Sequence, residues 1–272
     1  MTGTIVSSVG GRPRVVRASQ IGGQTITAAL CDGKPQLERH LDGLFTHSPH
    51  RFSFRVVSAA LRLDALKELV DDLELDMLPP GIRQSVCKRR LNFIGGRLCA
   101  EHSLRRLGLQ RAAVGRHQSG EPMWPFGIIG SITHTDEMAY AAVSARYGPF
   151  SIGIDSERVV TDSALRDVQQ VCCTDREKAF LFRDHSPNLT GTLIFSAKES
   201  ICKAIHSVVR RIVDFCEIEV TSIDWLQQEL RMRPITDGDL VDRVPECKAL
   251  FQVDQDTVHT SVALDGERHQ RR

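Results

Sequence analysis

The chain has 272 residues, with 35 Lys and Arg against 34 Asp and Glu and a net charge of +1, so no global field recruits nucleic acid or an anionic membrane. No apolar run reaches membrane-spanning length, and no apolar stretch followed by a small-residue cleavage site marks a secretory signal. The length supports one large cored domain or two small ones, and eight cysteines without a Cys-x-x-Cys pair read as reduced thiols of a cytosolic protein with no zinc site.

Residues 1–45 carry little pattern. Met1 to Cys31 contains no acidic residue, and the segment reads as an N-terminal extension with a short strand at Ile26–Leu30. Alternation predicts a strand over Phe52–Val57. Apolar residues at 61, 63, 66, 69, 70 and 73 predict a helix over Leu61–Leu75, and Pro79-Pro80-Gly81 then breaks the chain. A long helix is predicted over Ile82–Leu107, with Val86, Leu91, Ile94 and Leu98 on its buried side. Arg83, Arg90 and Arg97 recur every seven residues, a spacing that drifts only slightly around a helix and makes one basic ridge. Arg105 and Arg106 read as a solvated face. Arg90 and Arg97 read as phosphate ligands, because guanidinium groups pair bidentately with phosphate oxygens. Gly95 and Gly96 each cost about 1 kcal/mol relative to Ala inside a helix, so something approaches the backbone there.

Gly115–Gly130 reads as a loop, and Gly130–Ala145 as a hairpin turning at 135–137. Tyr147-Gly148-Pro149 marks the midpoint of the chain. In Ser151–Glu157, Ile152 and Ile154 alternate with Gly153 and Asp155, a strand pattern that sets Asp155 and Glu157 on one face, about 7 Å apart. Like charges that close call for a cation or basic side chains; a hard cation that prefers oxygen and bridges phosphates is Mg²⁺. Thr174-x-x-Glu177 is a capping box that starts a helix running through Phe182. Phe195–Ala204 opens an amphipathic helix whose apolar stripe is Ile201, Ala204, Ile205 and Val208, with Glu199, Lys203 and His206 on another face. The plain reading of Glu199 and Lys203 is a surface pair one turn apart; Asp155 and Glu157 upstream argue for more. Strands are predicted over Ile212–Ile223, Val244–Val253 and Val258–Leu264, before a solvated tail at Arg268–Arg272.

Gly153-Ile154-Asp155-Ser156-Glu157 and Phe195-Ser196-Ala197-Lys198-Glu199-Ser200-x-x-Lys203-Ala204 resemble the two signatures of the 4′-phosphopantetheinyl transferases. Lys88-Arg89-Arg90-x-x-Phe93-x-x-Gly96-Arg97, Gly120-Glu121-Pro122-Met123-Trp124-Pro125 and Gly130-Ser131-Ile132-Thr133-His134 resemble the enterobactin-synthase branch of that family. The motifs occur in the family's order across residues 83–204.

The resemblance implies an α+β fold of two similar halves in pseudo-two-fold arrangement, with the active site between them. Residues 46–149 would carry the coenzyme A phosphate contacts, and residues 150–272 the metal-binding and catalytic motifs. The implied reaction moves 4′-phosphopantetheine from coenzyme A to a serine of an apo acyl, peptidyl or aryl carrier protein and releases adenosine 3′,5′-bisphosphate. Asp155 and Glu157 would hold Mg²⁺, with Glu199 as third ligand or general base; the Ser156 carbonyl is a further candidate. Lys198 and Lys203 would contact phosphate, Lys203 alternatively protonating the leaving group. Thr133 and His134 would donate to the pyrophosphate. For the nucleotide phosphates the family pattern favours Arg89 and Arg97, and the helical ridge favours Arg90 and Arg97. Some relatives carry a basic residue just before Gly-Glu-Pro; here Ser119 stands there and Arg116 is the substitute. A cytoplasmic monomer is expected, with no nucleic-acid or membrane partner. Two rival readings are a Mg²⁺-dependent hydrolase of coenzyme A or nucleotide pyrophosphates, and a non-catalytic carrier-binding relative. The ordered motifs argue against the first, and the presence of Asp155, Glu157, Glu199 and Lys203 against the second.

Overall fold

Two antiparallel sheets, each crossed by one long helix, organise the protein. The computed structural model describes residues 4–9, 12–17, 25–31, 34–67, 78–146, 149–235, 239–244 and 246–265. Strands β1 (Thr4–Val9) and β2 (Arg12–Arg17) pair as a hairpin. Helices α1 (Ile26–Cys31) and α2 (Pro35–Leu44) lead into β3 (Phe45–Thr46) and β4 (Val57–Arg62). Helices α3 (Pro80–Arg83) and α4 (Cys87–Arg106) precede a ribbon of β5 (Gly115–Arg116) and β6 (Pro122–Met123). The hairpin β7 (Ile128–His134) and β8 (Met138–Ala145) completes the first sheet, in the order β3-β4-β8-β7.

Strand β9 (Pro149–Arg158) begins the second sheet. Helices α5 (Asp162–Val171), α6 (Asp175–Lys178) and α7 (Pro187–Val209) follow. Then come β10 (Ile218–Asp224), β11 (Glu229–Pro234), α8 (Asp239–Arg243), β12 (Cys247–Asp254) and β13 (Thr257–Asp265). The strand order is β10-β11-β12-β13-β9. The fold class is therefore α+β, as expected. No helix among the described residues is long and apolar enough to cross a membrane.

Glycine sets how closely each long helix meets its sheet. A Cβ on Gly95 would lie 2.6 Å from Leu63 Cδ2, and one on Gly96 2.6 Å from Ile132 Cγ2; α4 thus presses on the sheet through the two residues whose helical cost predicted a close approach. A Cβ on Gly153 would lie 1.9 Å from the Ser200 carbonyl oxygen, so the α7 backbone rests directly on β9. Ser186 caps α7 by accepting the Leu189 N–H, and Pro187 opens it, where a missing N–H costs nothing. Ile194, Ile201 and Ile205 are fully buried beneath it, each worth about 1.5–3 kcal/mol.

One core gathers Leu41, Leu61, Ile94, Leu98 and Val143, and another Leu193, Ile201, Met232, Phe251 and Val262. A small cluster of Ala60, Tyr140, Ala142, Ile152 and Ile154 joins the two sheets. β7 and β9 are edge strands, and these edges meet: the Ile154 N–H donates to Ser131 Oγ at 3.1 Å.

Several elements differ from expectation. Ile26–Cys31 is a helix, not a strand, because the buried Glu101 carboxylate accepts the Ile26 and Thr27 N–H groups at 2.9 Å each. The strand expected at Phe52–Val57 begins only at Val57 and consumes Leu61 and Arg62. A 3₁₀ turn at Asp64–Leu66 and a helical Lys67 follow; the rest of the expected helix, residues 68–75, lies outside the described residues, as do Tyr147, Gly148 and the tail. The helix expected from Ile82 is broken at Gln84–Val86; Arg83 therefore sits on a separate helix and the seven-residue ridge does not form. Val86, expected to be buried, is 73% exposed at that break. The Thr174 capping box is present, but α6 stops at Lys178. α7 starts eight residues before Phe195, and Leu165 packs against it where a Cβ on Gly191 would lie 2.4 Å from Leu165 Cδ1. β10 starts at Ile218, leaving Ile212 91% exposed.

Candidate active site

The seam between β7 and β9 gathers Thr133, Asp155 and Lys203. Lys203, on α7, reaches it with its Nζ and donates to Asp155 Oδ1 at 2.6 Å, the Ile154 carbonyl at 3.3 Å and Thr133 Oγ1 at 3.4 Å. Burial works against the ammonium charge, yet the Asp155 charge and hydrogen bond raise its pKa overall. Thr133 donates in turn to Asp155 Oδ1 at 3.1 Å. Asp155 is 2% exposed, and its Oδ2 is buried without a hydrogen-bond partner. Burial first, then the Asp155 charge, pushes the Glu157 carboxyl up to about 7. Glu199 Oε2 lies 4.0 Å from Lys203 Nζ, and burial raises its pKa too.

Asp155, Glu157 and Glu199 thus face one ammonium. Asp155 Oδ2 is left buried without a hydrogen-bond partner, and carboxylate oxygens are the donor set of Mg²⁺. The residues fit a divalent cation. Among the described residues no trio of His, Cys, Asp or Glu stands ready to hold a metal ion, and Lys203 Nζ takes Asp155 Oδ1 at 2.6 Å.

A cavity of about 370 Å³ opens beside the seam, lined by Arg89, Asn92, Phe93, Arg97, Arg116 and His134. Arg97 is 4% exposed and its guanidinium lies 5.1 Å over the Phe93 ring. Its Nε and Nη1 have no partner. Burial lowers its pKa to about 10, so it is still charged near pH 7. A buried, partly unpaired guanidinium is costly, and an anion in the cavity completes it. His134 is exposed at the end of β7, with Nδ1 3.3 Å from Asn92 Nδ2. Surrounding protein and the Lys203 charge hold its pKa below the usual value.

Pro122 and Ile132 also line a second cavity of about 590 Å³, walled by Trp124, Phe150, Glu199 and Lys203. Its Trp124 ring sits where a Cβ on Gly130 would come within 2.6 Å.

Three sequence expectations are corrected. Lys198 is not a phosphate contact: it is fully buried, and its Nζ donates to Glu177 Oε2 and the Cys172 carbonyl at 2.7 Å and to the Phe215 carbonyl at 2.9 Å. Thr133 is buried with its hydroxyl committed to Asp155 rather than free for a pyrophosphate. Arg90 turns to the break before α4 and donates to the Ser85 carbonyl at 2.7 Å, leaving Arg89 and Arg97 on the cavity. Sequence reasoning missed Asn92, although it lies one helical turn from Arg89. It also gave no role to Cys202, whose neighbours in the second cavity include His206.

Residues 79–144 match the family model described as the 4′-phosphopantetheinyl transferase N-terminal domain, and residues 151–263 that of the 4′-phosphopantetheinyl transferase superfamily. A 4′-phosphopantetheinyl transferase of Mycobacterium tuberculosis is 31% identical over 68% of this chain and 83% of its own length. Enterobactin synthase component D of Salmonella typhimurium is 29% identical over 70% of this chain and 79% of its own. A 4′-phosphopantetheinyl transferase of Nocardia iowensis is 37% identical over 52% of this chain, but the match spans only 62% of that relative.

Proposed function

The chain belongs to the 4′-phosphopantetheinyl transferase superfamily of enzymes, in the branch of enterobactin synthase component D, and from that premise we propose that it moves 4′-phosphopantetheine from coenzyme A to a serine of an apo carrier protein. The observation that carries this reading is the convergence of Asp155, Glu157, Glu199 and Lys203 at one seam, beside a cavity lined by Arg89, Arg97 and Arg116.

Arg97 and Arg89 bind the nucleotide-end phosphates of coenzyme A, and Arg116 supplies the basic group that Ser119 does not. The largely apolar second cavity takes the uncharged pantetheine arm past Trp124. Mg²⁺ held by Asp155 and Glu157, with Glu199 as third ligand, would neutralise pyrophosphate charge and polarise the phosphorus under attack. The serine oxygen forms a new bond to that phosphorus as its bond to the bridging oxygen breaks; adenosine 3′,5′-bisphosphate leaves with the bridging oxygen. Glu199, when free of the metal, takes the serine proton, a role its raised pKa suits. Lys203 holds Asp155 and offers a positive charge to the leaving phosphate. We read residues 46–149 and 150–272 as two similar halves with the site between them, each laying one long helix across an antiparallel sheet, and the enzyme as a cytoplasmic monomer. All eight cysteines are free thiols, which agrees with that compartment.

The test is the intact mass of apo acyl, peptidyl and aryl carriers after incubation with this protein, coenzyme A and Mg²⁺. A gain of about 340 Da, the mass of the transferred group, that disappears with EDTA is expected. No gain on any of the carriers overturns the proposal.

A further inference from the structure

Behind Asp155 lies a buried polar cluster that no step above uses. Successive strand residues face opposite ways, so Ser156 points away from the Asp155 side chain. His50, from the coil between β3 and β4, and His259, on β13, meet it there. Ser156, His50 and His259 are 0%, 7% and 3% exposed. His50 Nε2 stands 3.0 Å from the Asp155 carbonyl oxygen and 3.2 Å from Ser156 Oγ. Ser156 Oγ stands 2.9 Å from His259 Nδ1, and Ser48 Oγ 3.0 Å from His50 Nδ1.

The carbonyl fixes the hydrogen on His50, and the other contacts can be satisfied around it. A carbonyl oxygen only accepts, so His50 Nε2 carries the proton and donates to Asp155. His50 Nδ1 is then an acceptor and takes the Ser48 hydroxyl proton. Ser156 Oγ and His259 Nδ1 share one hydrogen bond. Tyr140 packs edge-on against both imidazoles, with ring centroids 5.3 and 5.4 Å away. The neighbouring Arg51 carbonyl accepts from Ser261 on β13, which pins the coil to the second sheet. A coil from the first sheet thereby delivers one directed hydrogen bond to the peptide that bears Asp155.

We propose that His50 is a positioning residue, which fixes the Asp155–Ser156 peptide from behind and so aims the Asp155 carboxylate at Lys203 and at a divalent cation. This rests on the metal-dependent reading above. Among the described residues the front of Asp155 is held by Thr133 and Lys203, and both grip the same oxygen, so the backbone hold decides where Oδ2 points.

The discriminating pair is His50→Gln, whose amide nitrogen occupies the place of Nε2, and His50→Asn, whose amide reaches only the place of Nδ1. The readouts are Mn²⁺ affinity by calorimetry with coenzyme A present, kcat and KM for transfer, and the thermal midpoint. His50→Asn is expected to weaken Mn²⁺ binding and lower kcat by about tenfold, as loss of a partner behind a metal ligand does, with KM for coenzyme A within about twofold. His50→Gln is expected to restore both. Wild-type Mn²⁺ affinity and kcat in a folded His50→Asn protein, with only the thermal midpoint lowered, overturn the proposal, as does a wild-type protein that binds no Mn²⁺. Wild-type protein that binds Mn²⁺ but modifies no carrier removes the transferase reading alone; the Mn²⁺ comparison between the two variants then still supports or overturns the role of His50.

Discussion

Lys198 and Lys203 lie five residues apart on one helix and do different work. The Lys198 ammonium and the Glu177 carboxylate are both fully buried, 2.7 Å apart. Glu177 also accepts the Thr174 N–H at 2.7 Å and the Val220 N–H at 2.6 Å. Removing one partner of such a pair strands the other, at about 3–5 kcal/mol. Lys198→Met should therefore lower unfolding free energy by that order in urea titrations while leaving KM for coenzyme A unchanged. A raised KM with unchanged stability would return Lys198 to the phosphate site. Arg97 and Arg90 make the converse comparison. A charge-assisted hydrogen bond is worth about 1.5–3 kcal/mol, so Arg97→Ala should raise KM for coenzyme A by about tenfold or more without changing KM for the carrier. Arg90→Ala, which among the described residues loses a bond to the Ser85 carbonyl, should leave both constants near wild type. Equal effects from the two variants would place the phosphates elsewhere.

At the scale of elements, the site depends on how α7 sits on β9. The obstacle to a side chain at Gly153 is the Ser200 carbonyl, 1.9 Å from the would-be Cβ, and backbone cannot rotate aside as a side chain can. Gly153→Ala must push the helix away, and Glu199 and Lys203 move with it. The expected result is a loss of about 3 kcal/mol of stability together with loss of transfer, read by denaturant unfolding and the carrier mass assay. Gly81, in α3, has nothing within 4 Å of its would-be Cβ. Gly81→Ala should therefore stabilise by about 0.4–1 kcal/mol with activity retained. If both alanines behave alike, helix-to-strand contact does not govern the site.

Across the whole molecule, the coil that carries His50 ties the two sheets together with neutral imidazoles. Burial, the largest influence on each, lowers the pKa of His50 to about 3 and that of His259 to about 4. An unfolded histidine titrates near 6.5, so between these values the unfolded chain binds more protons. Each imidazole's contribution is therefore complete above about pH 6.5 and declines as pH falls toward its folded pKa, by up to about 1.4 kcal/mol per pH unit. Glu157, raised to about 7, pulls the opposite way: its folded form prefers to be protonated, so it favours the fold as pH falls from 7 toward 4.5. The two trends are separated by difference. The stability of wild type relative to His50→Gln should decline between pH 6.5 and pH 4, measured by unfolding at each pH. A flat difference would mean His50 is not held neutral.

Much of the site was written locally. A period of two placed Asp155 on a strand with Glu157, and a helical period placed Glu199 one turn from Lys203; both elements formed as those periods require. The Thr174 capping box, the hairpin at 135–137 and the close approach at Gly95 and Gly96 were equally local. What failed was burial and long-range partnership. Lys198 reads like any lysine until the Cys172 and Phe215 carbonyls close around it. Ile26–Leu30 reads as a strand until Glu101, 75 residues from Ile26, caps the segment as a helix. Arg89 and Arg90 are adjacent, and only the break before α4 decides which one turns from the cavity.

By itself the sequence determined the family, the residue types of the site and the periods that put them on particular faces, because those depend on neighbours within a turn or a strand. The tertiary structure alone decided which charges are paired, which oxygen of Asp155 is left without a partner, and that His50 stands behind it. Those outcomes depend on two sheet edges and a coil meeting across more than 100 residues of chain, and no local pattern encodes such a meeting.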